Sequence, residues 1–265
     1  MSKRPIEAVL FDLGETLLTF GRLDRNRVSN LAAQRAYDYL KQHNQPVGSY
    51  RTYRLFHTWG IRWQVLKSWL TGRDFNSLEV LKKYGRKYGF SLSDEQWEEM
   101  NWQWYESLSK MGNVVPGSVK ALKELTGMGL KLGLLSNTFV HRTSLERHMA
   151  DEGLLEYLPV RMYSYEFPCR KPDTRIFTAA AERIGVPCEK CVYVGDRIDF
   201  DVDGSSKAGM LPILIRAYTN ENKTFPPGVE CIKDNTELVD AILRQCEIPK
   251  PPVNTKPKQP VYEQG

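Results

Sequence analysis

The stretch IEAVLFDLGET, residues 6–16, decides the fold of this 265-residue chain. Its first six residues are apolar apart from Glu7, which is typical of a strand that is buried on both faces of a sheet. The run ends at Asp12, so a carboxylate follows directly on the predicted strand. Because open α/β sheets bind ligands beyond the carboxyl ends of their strands, this position is a candidate for a functional site.

Four other apolar runs have the same character and are predicted as strands. Helical patterns separate them, and the helix predicted from Thr174 to Ile184 is closed by Gly185 with Pro187 shortly after it. Strands that alternate with helices predict an α/β fold with a doubly wound, mostly parallel sheet. The four predicted strands are Leu130 to Leu135, Pro159 to Tyr163, Cys191 to Val194 and Leu211 to Ile215.

Residues 21–112 break this alternation with several helical patterns in a row. We interpret them as an all-helical cap inserted into an α/β core of residues 1–20 and 113–246. One predicted helix opens at Ser93, with Gln96 three residues later, which is the pattern of a capping box. The other predicted cap helices are Asn30 to His43, Tyr50 to Leu70 and Ser77 to Tyr88.

Charge also separates the inserted region from the rest of the chain. Residues 21–92 hold 14 Lys and Arg against four Asp and Glu, which gives 14 − 4 = +10. Since the whole chain carries +5, the remaining residues sum to −5, and all six Trp lie between residues 59 and 104. This excess of positive charge leaves open whether part of the cap attracts an anionic substrate.

Composition excludes several classes of protein. The mean hydropathy is −0.47, and no apolar run approaches the roughly 18–20 residues that span a bilayer, so we expect no membrane contact. Five cysteines without the spacing of a disulfide framework predict a cytoplasmic protein. Residues 247–265 contain five prolines and little to bury, and we predict a disordered tail there.

Polar motifs at the predicted strand ends favour phosphoryl transfer. A carboxylate attacks phosphorus only when a cation and positioned donors remove the charge repulsion, and Asp12 is the candidate nucleophile. Asp196 would join Asp12 in binding Mg²⁺, which prefers oxygen ligands. The Ser136 hydroxyl and the Asn137 backbone N–H would bind phosphoryl oxygens, and Lys171 would neutralise charge. The motifs are Asp12-Leu13-Gly14-Glu15-Thr16, Ser136-Asn137, Lys171-Pro172-Asp173 and Gly195-Asp196 with Asp201.

Taken in this order, the motifs resemble those of the haloacid dehalogenase (HAD) superfamily, most of whose members are Mg²⁺-dependent phosphatases. The resemblance covers residues 4–20 and 113–240. It implies that the backbone carbonyl of Gly14 is a third protein ligand of Mg²⁺, and that Asp201 supports the metal's water shell or Lys171. Thr16, at the end of the first motif, is a further candidate for phosphate binding. The implied activity is hydrolysis of a small phosphorylated metabolite through an aspartyl-phosphate.

One position departs from the pattern of the family. Its phosphatases usually carry a second Asp two residues after the nucleophile, where it protonates the leaving oxygen, and this chain has Gly14 there. Such general acid–base help is worth typically a hundredfold to ten-thousandfold in rate. Its loss would slow alkoxide leaving groups most and aryl or acyl phosphates least. Glu15 is a candidate substitute acid, and the alternative is that it is an exposed loop carboxylate.

Other functions stay open at this point. A degenerate, non-catalytic HAD-like protein would keep a phosphate-binding pocket without turnover. A 2-haloacid dehalogenase is less favoured, because dehalogenases need no metal, whereas this chain keeps Asp196 and Asp201. Nucleic acid is the weaker choice of partner because no recognised binding module is present. The oligomeric state is not readable from the sequence.

Basic and aromatic residues interleave in the cap from Arg51 to Trp63, a pattern that suits an anionic substrate or a stacked base. Phe56, Trp59 and Trp63 fall at i, i+3 and i+7, the spacing of a buried helix stripe. We therefore predict that these three side chains belong to the core of the cap.

Overall fold

The computed structural model describes residues 3–248, and a six-stranded parallel sheet lies at its centre. This confirms the predicted α/β fold with a mostly parallel sheet. The strands are β1 (Arg4–Pro5), β2 (Ala8–Phe11), β3 (Leu18–Thr19), β4 (Asn113–Val114), β5 (Lys131–Ser136), β6 (Val160–Tyr163), β7 (Cys191–Gly195), β8 (Leu211–Ile215), β9 (Glu230–Ile232) and β10 (Cys246–Glu247). The strand order in the central sheet is β6-β5-β2-β7-β8-β9, and two pairs of short strands, β1 with β10 and β3 with β4, lie outside it.

Helices cover the sheet and fill the inserted region. The first four lie in residues 25–109, and the others alternate with the strands of the central sheet. The helices are α1 (Arg25–Gln42), α2 (Tyr50–Thr71), α3 (Ser77–Lys87), α4 (Asp94–Ser109), α5 (Ser118–Gly127), α6 (Arg142–Asp151), α7 (Thr174–Ile184), α8 (Asp203–Lys207) and α9 (Leu238–Gln245).

Strand β2 shows why the central sheet forms where the sequence predicts it. Its four residues are all buried, and alternate side chains enter different apolar clusters on the two faces of the sheet. Val9 and Phe11 belong to one cluster, and Ala8 and Leu10 belong to the other. All five predicted strands are present, but β9 was not predicted because its three residues form a short edge strand with only one buried side chain.

Two helix starts depend on side-chain caps. Helix α1 begins at Arg25, five residues before the predicted start, because the Asp24 carboxylate accepts the backbone N–H groups of Asn26 and Arg27. Helix α4 begins after Ser93, where the predicted capping box with Gln96 is confirmed.

The inserted region leaves and rejoins the rest of the chain at one place. Antiparallel pairing of β3 with β4 aligns Leu18 with Val114, and the Val115 N–H donates to the Leu17 carbonyl at 2.9 Å. We use the name cap for residues 21–112 and core for residues 3–20 and 113–246, and this division stays an interpretation. Within residues 3–248, the structure contains no helix that is both long and apolar enough to cross a membrane.

The end of the described chain returns to its beginning. Strand β10 pairs in parallel with β1, so that Glu247, the first residue of the predicted tail, aligns with Pro5. Ile248 is the last described residue, and residues 249–265 of the predicted tail lie outside the described residues.

Candidate functional site

The candidate catalytic residues lie at the carboxyl ends of three adjacent strands. Asp12 directly follows β2, Ser136 ends β5, and Asp196 directly follows β7. Strand β2 pairs with both neighbours, and the Asp12 N–H donates to the Val194 carbonyl at 2.9 Å. Parallel pairing therefore brings three positions that are far apart in the sequence to one edge of the sheet.

Lys171 is buried in the middle of this edge, with 2% of its surface exposed. Its Nζ lies 2.9 Å from Asp12 Oδ1, 2.7 Å from Asp201 Oδ1 and 2.8 Å from the Tyr193 hydroxyl. The Asn137 side chain holds the lysine backbone, since its Nδ2 donates to the Lys171 carbonyl and its Oδ1 accepts the Lys171 N–H, both at 3.0 Å. The ammonium is thus positioned from its backbone to its tip.

Three buried carboxylates lie around this ammonium, and two of them, Asp12 and Asp201, form ion pairs with it. One oxygen from each of Asp12, Asp196 and Asp201 lies within 4.8 Å of the others, and residues 3–248 hold no other group of three metal-ligating side chains this close. Three carboxylates and one ammonium sum to −3 + 1 = −2, which is unfavourable in a buried site without a further cation. The donors are all oxygens, the ligand type that Mg²⁺ prefers, so the residues fit a magnesium ion.

The titration behaviour of the group reflects this excess of negative charge. Burial, together with the charges of Asp12 and Asp201, raises the pKa of Asp196 to about 8. Burial also raises the pKa of Asp201 to about 6, against the effect of the Lys171 ammonium. Burial disfavours the charge on Lys171, but Asp12 and Asp201 outweigh it and raise the pKa of the lysine well above its usual value. Lys171 therefore stays charged. The raised pKa values of Asp196 and Asp201 show that this one ammonium does not balance the charge of the three acids.

Two residues that the sequence did not single out hold Asp196 in place. The Thr219 hydroxyl donates to Asp196 Oδ2, and Asn220 Nδ2 donates to the Asp196 carbonyl at 2.7 Å and to the Ile215 carbonyl at 2.8 Å. Both follow β8, which pairs with β7, so they reach the same edge of the sheet. The sequence signal that they carry is their position as polar residues a few places after a predicted strand, and this signal does not say that they reach Asp196.

Glu15 braces a turn. Its backbone φ is 57°, and its carboxylate accepts hydrogen bonds from the Thr19 hydroxyl at 2.8 Å, the Phe20 N–H at 2.8 Å and the Gly21 N–H at 3.1 Å. These bonds shape the segment that leads into the cap. Although Glu15 lines the cleft described below, its carboxylate is committed to this turn, and the geometry gives no support to its prediction as a substitute acid.

The remaining residues of the first motif differ in their access to ligand. Gly14 lines the cleft, and a Cβ atom built on it meets no heavy atom within 4 Å. Thr16 is fully buried, and its carbonyl accepts a hydrogen bond from Asn235 Nδ2 at 2.7 Å. This burial speaks against the predicted phosphate contact of Thr16. In the second motif, Asn137 lines the cleft. Ser136 is buried, with 5% of its surface exposed, and is not among the residues that line the cleft.

A cleft of about 820 Å³ opens beside the three carboxylates, between the core and the cap. The cap contributes apolar side chains to it, among them Val65, Trp69 and Phe75. Four arginines also line it, and Arg25 is the one without a carboxylate partner within residues 3–248. The other three are Arg22, Arg170 and Arg197, which pair with Glu221, Asp74 and Asp199 respectively.

Asp74 connects the cap to Arg170, the residue before Lys171. Its Oδ1 accepts hydrogen bonds from Arg170 at 2.8 Å and from the Ser68 hydroxyl at 2.7 Å, and its Oδ2 accepts one from Ser164 at 2.5 Å. Arg170 directly precedes Lys171. The cap is therefore held to the core by a hydrogen-bonded ion pair beside the cleft.

The prediction that Phe56, Trp59 and Trp63 are buried is wrong. They are 52%, 62% and 61% exposed, and Ser68 is the only buried residue of the 22 in α2. The spacing correctly places them along one side of a helix, but burial also requires a packing partner. Helix α2 adds only the partly buried Tyr53 to the apolar cluster of the cap, whose buried members are Ala36, Tyr39, Leu40, Leu78, Phe90, Trp97 and Met100.

A family model described as haloacid dehalogenase-like hydrolase matches residues 6–209. Because this match covers most of the chain, the chain belongs to the haloacid dehalogenase-like hydrolase family. The resemblance drawn from the motifs is thereby confirmed.

Known proteins resemble the chain in part of their sequence or in fold. Glyceraldehyde 3-phosphate phosphatase of Methanopyrus kandleri is 35% identical over 101 residues, which are 38% of this chain and 42% of that protein. Haloacid dehalogenase-like hydrolase domain-containing protein 3 of Danio rerio is 37% identical over 131 residues, 49% of this chain and 53% of that protein. The chain thus spans about half the length of these curated relatives.

Among solved structures, a 2-haloacid dehalogenase from Pseudomonas syringae pv. Tomato DC3000 has a TM-score of 0.62 and 22% identity. The match covers 90% of this chain and 99% of that one. At this level of identity the likeness shows the shared fold alone.

Proposed function

We propose that this chain is a magnesium-dependent phosphatase. Its substrate is a small phosphorylated metabolite, a phosphate monoester, which it hydrolyses through an aspartyl-phosphate on Asp12. The observation that carries this proposal is the Asp12 carboxylate at the end of β2, 2.9 Å from the buried Lys171 ammonium and within a group of three acids. Membership of a hydrolase family and similarity to a protein named as a phosphatase support it.

The residues of the site suit the two steps of such a reaction. An Asp12 oxygen attacks phosphorus, and the bond from phosphorus to the leaving oxygen breaks. Water then attacks phosphorus, which breaks the aspartyl-phosphate bond, frees inorganic phosphate and restores the carboxylate. Lys171 neutralises charge on the transferred group, and the Asn137 backbone N–H would bind one of its oxygens.

The metal would be held by Asp12, Asp196 and the Gly14 carbonyl, with Asp201 behind them against Lys171. When bound, Mg²⁺ offsets the repulsion between the attacking carboxylate and the phosphate. Thr219 and Asn220 orient Asp196 for this role through their hydrogen bonds to its carboxylate and its carbonyl. A group of three buried acids, which suits a bound cation, also favours phosphate chemistry over dehalogenation, which needs no metal.

Gly14 limits the range of leaving groups. It supplies no acid, and the Glu15 carboxylate is engaged with Thr19, Phe20 and Gly21. A leaving oxygen must therefore depart without a strong proton donor from the first motif. Aryl and acyl phosphates, whose leaving oxygens are acidic, are the substrates least affected by this loss.

Phosphate release from a panel of phosphorylated compounds tests the proposal. The panel contains phenyl phosphate, acetyl phosphate and several sugar phosphates, each with Mg²⁺ and with a chelator. We expect Mg²⁺-dependent release that is fastest for phenyl or acetyl phosphate, and a phosphorylated protein detectable by intact mass. Binding of these compounds without turnover of any of them would instead identify a non-catalytic phosphate-binding protein.

A further inference from the structure

The cap contains a second cavity, of about 400 Å³, which we call the cap cavity. This volume lies in the range of small-molecule sites, about 300–1,000 Å³. Aromatic and aliphatic side chains from α2, α3 and α4 form most of its wall. Its principal residues are Phe56, Trp59, Trp63, Tyr84, Tyr88 and Trp104.

Two phenylalanines are shared by the walls of the cap cavity and the catalytic cleft. Phe75 and Phe139 line both spaces, and their rings stack with centroids 4.8 Å apart and an interplanar angle of 14°. Phe139 follows Ser136 by three residues, so the backbone between them spans at most roughly 10 Å. The Ser77 N–H donates to the Phe139 carbonyl at 2.8 Å, which ties this loop to the start of α3. The cap cavity therefore begins close to the predicted phosphate position.

The wall of the cap cavity is suited to apolar groups. Trp59 and Trp63 expose more than half of their surface beside it, and large exposed apolar patches are uncommon unless they bind something. Two polar groups in the wall are engaged with each other or with a neighbour, whereas His57 Nδ1 is buried without a hydrogen-bond partner within residues 3–248. Trp104 Nε1 donates to His57 Nε2 at 2.8 Å, and the Tyr84 hydroxyl accepts a bond from Gln64 at 3.3 Å.

We propose that the cap cavity binds the apolar part of the substrate, and that the substrate is an aryl or acyl phosphate whose leaving group carries an alkyl chain. This inference rests on the proposed phosphatase function. Two separate observations favour the same class of compound. The missing acid at Gly14 favours an acidic leaving oxygen, and the cap cavity beside Phe75 and Phe139 favours an apolar group attached to it.

A series of 4-alkylbenzylphosphonates tests the binding directly, because their carbon–phosphorus bond is not hydrolysed by this chemistry. Their dissociation constants are measured on the full chain with Mg²⁺ by calorimetry. We expect each added methylene to tighten binding about fourfold until the cap cavity is full. Dissociation constants that do not change with alkyl length would overturn the inference.

Phosphate release from the matching 4-alkylphenyl phosphates separates this inference from the proposed function. We expect the kcat/KM to rise with alkyl length in step with phosphonate binding. Hydrolysis of phenyl phosphate with length-independent phosphonate binding removes only the inference. If phosphonate binding depends on alkyl length but no ester is hydrolysed, the proposed function is wrong, and the cap cavity is an apolar binding site without phosphatase activity.

Gly60→Leu supplies a variant that should fold. Gly60 lines the cap cavity within α2, a Cβ atom there meets nothing within 4 Å, and leucine has the higher helix propensity. The added side chain occupies part of the cap cavity, so we expect pentyl and methyl phosphonates to bind equally well. Leu66→Ala is the matched control, because Leu66 is 46% exposed on α2 and lines neither space. A wild-type length dependence in Gly60→Leu, or its equal loss in Leu66→Ala, would contradict the inference.

Discussion

The core and the cap use apolar residues in opposite ways. Every residue of β2 and β7 is buried, whereas α2 buries one of its 22 residues and exposes several large aromatic side chains. Dense packing around the strands holds Asp12 and Lys171 to fixed positions, which the proposed covalent chemistry requires. The cap leaves apolar surface open beside the cleft. The difference suggests that the core determines the reaction and that the cap determines which leaving group is accepted.

Charge follows the same division. Residues 21–92 carry +10 and the rest of the chain carries −5, and the buried acidic group lies in the negative part. Positive residues around a cleft raise the local concentration of anions and speed their capture. Arg25, at the start of α1, lines the cleft without a carboxylate partner within residues 3–248 and is available to contact an anionic substrate.

The largest expected effect comes from Asp12→Asn, which removes the proposed nucleophile from the core. We expect phosphate release to fall by about a thousandfold or more, as for other catalytic nucleophiles. The fold should persist, because the amide has the same shape and relieves charge near Asp196 and Asp201. Phosphate release and circular dichroism check both points. More than a few per cent of residual activity would rule out Asp12 as the nucleophile.

Lys171→Met tests whether the core depends on this one cation for stability. Removing the ammonium leaves the buried carboxylates of Asp12 and Asp201 without their ion-pair partner, so we expect the free energy of unfolding to fall by about 3–5 kcal/mol. Mg²⁺ should restore part of this loss, and urea unfolding with Mg²⁺ or a chelator measures it. The control Tyr193→Phe removes only hydroxyl hydrogen bonds and should lower stability by about 0.5–1.5 kcal/mol. Equal losses in the two variants would contradict this account.

Gly14→Asp tests whether the absence of an acid at position 14 of the core causes the proposed restriction on leaving groups. The position has room for a side chain. An acid there would protonate the leaving oxygen, and we expect the kcat/KM for alkyl phosphates to rise by about a hundredfold, with little change for aryl phosphates. Gly14→Asn is the matched control, since it has the same size and no transferable proton. A similar gain in both variants would show that side-chain volume, and not acidity, was the missing property.

The smallest expected effect belongs to the cap and depends on His57. Burial lowers the pKa of His57 to about 4. Above pH 6.5, the pKa of this side chain in the unfolded chain, the imidazole is neutral in both the folded and the unfolded state. His57 then costs the folded state no stability. As the pH falls below that value, the unfolded chain binds a proton that the folded one excludes, so stability should fall by about 1–3 kcal/mol on approach to pH 4.

Urea unfolding across this pH range checks the effect, with His57→Gln as the control. Glutamine keeps an acceptor for the Trp104 N–H and does not titrate. We expect the variant to lose less stability on acidification than the wild type does. Identical pH dependence in the two proteins would show that His57 does not contribute.

Much of the core was predictable because its signals are local. The apolar runs that became β2, β5 and β7 end in polar residues, and parallel strands align such ends, so the meeting of Asp12, Ser136 and Asp196 follows from the pattern. Thr219 and Asn220 were not predictable in this way. Their hydrogen bonds to Asp196 depend on the path of the chain after β8, which no local spacing records.

The sequence by itself determined the fold class, the order of the strands along the chain and the acidic and basic residues that meet at the sheet edge. This was possible because a buried strand and the polar residue that follows it can both be recognised in a short run of residues. Only the tertiary structure decided that Thr16 is buried, that Glu15 braces a turn and that Phe56, Trp59 and Trp63 stay exposed. Those outcomes depend on which surfaces pack together. A periodic pattern predicts which residues share one face of a helix, but it does not predict which other element packs against that face.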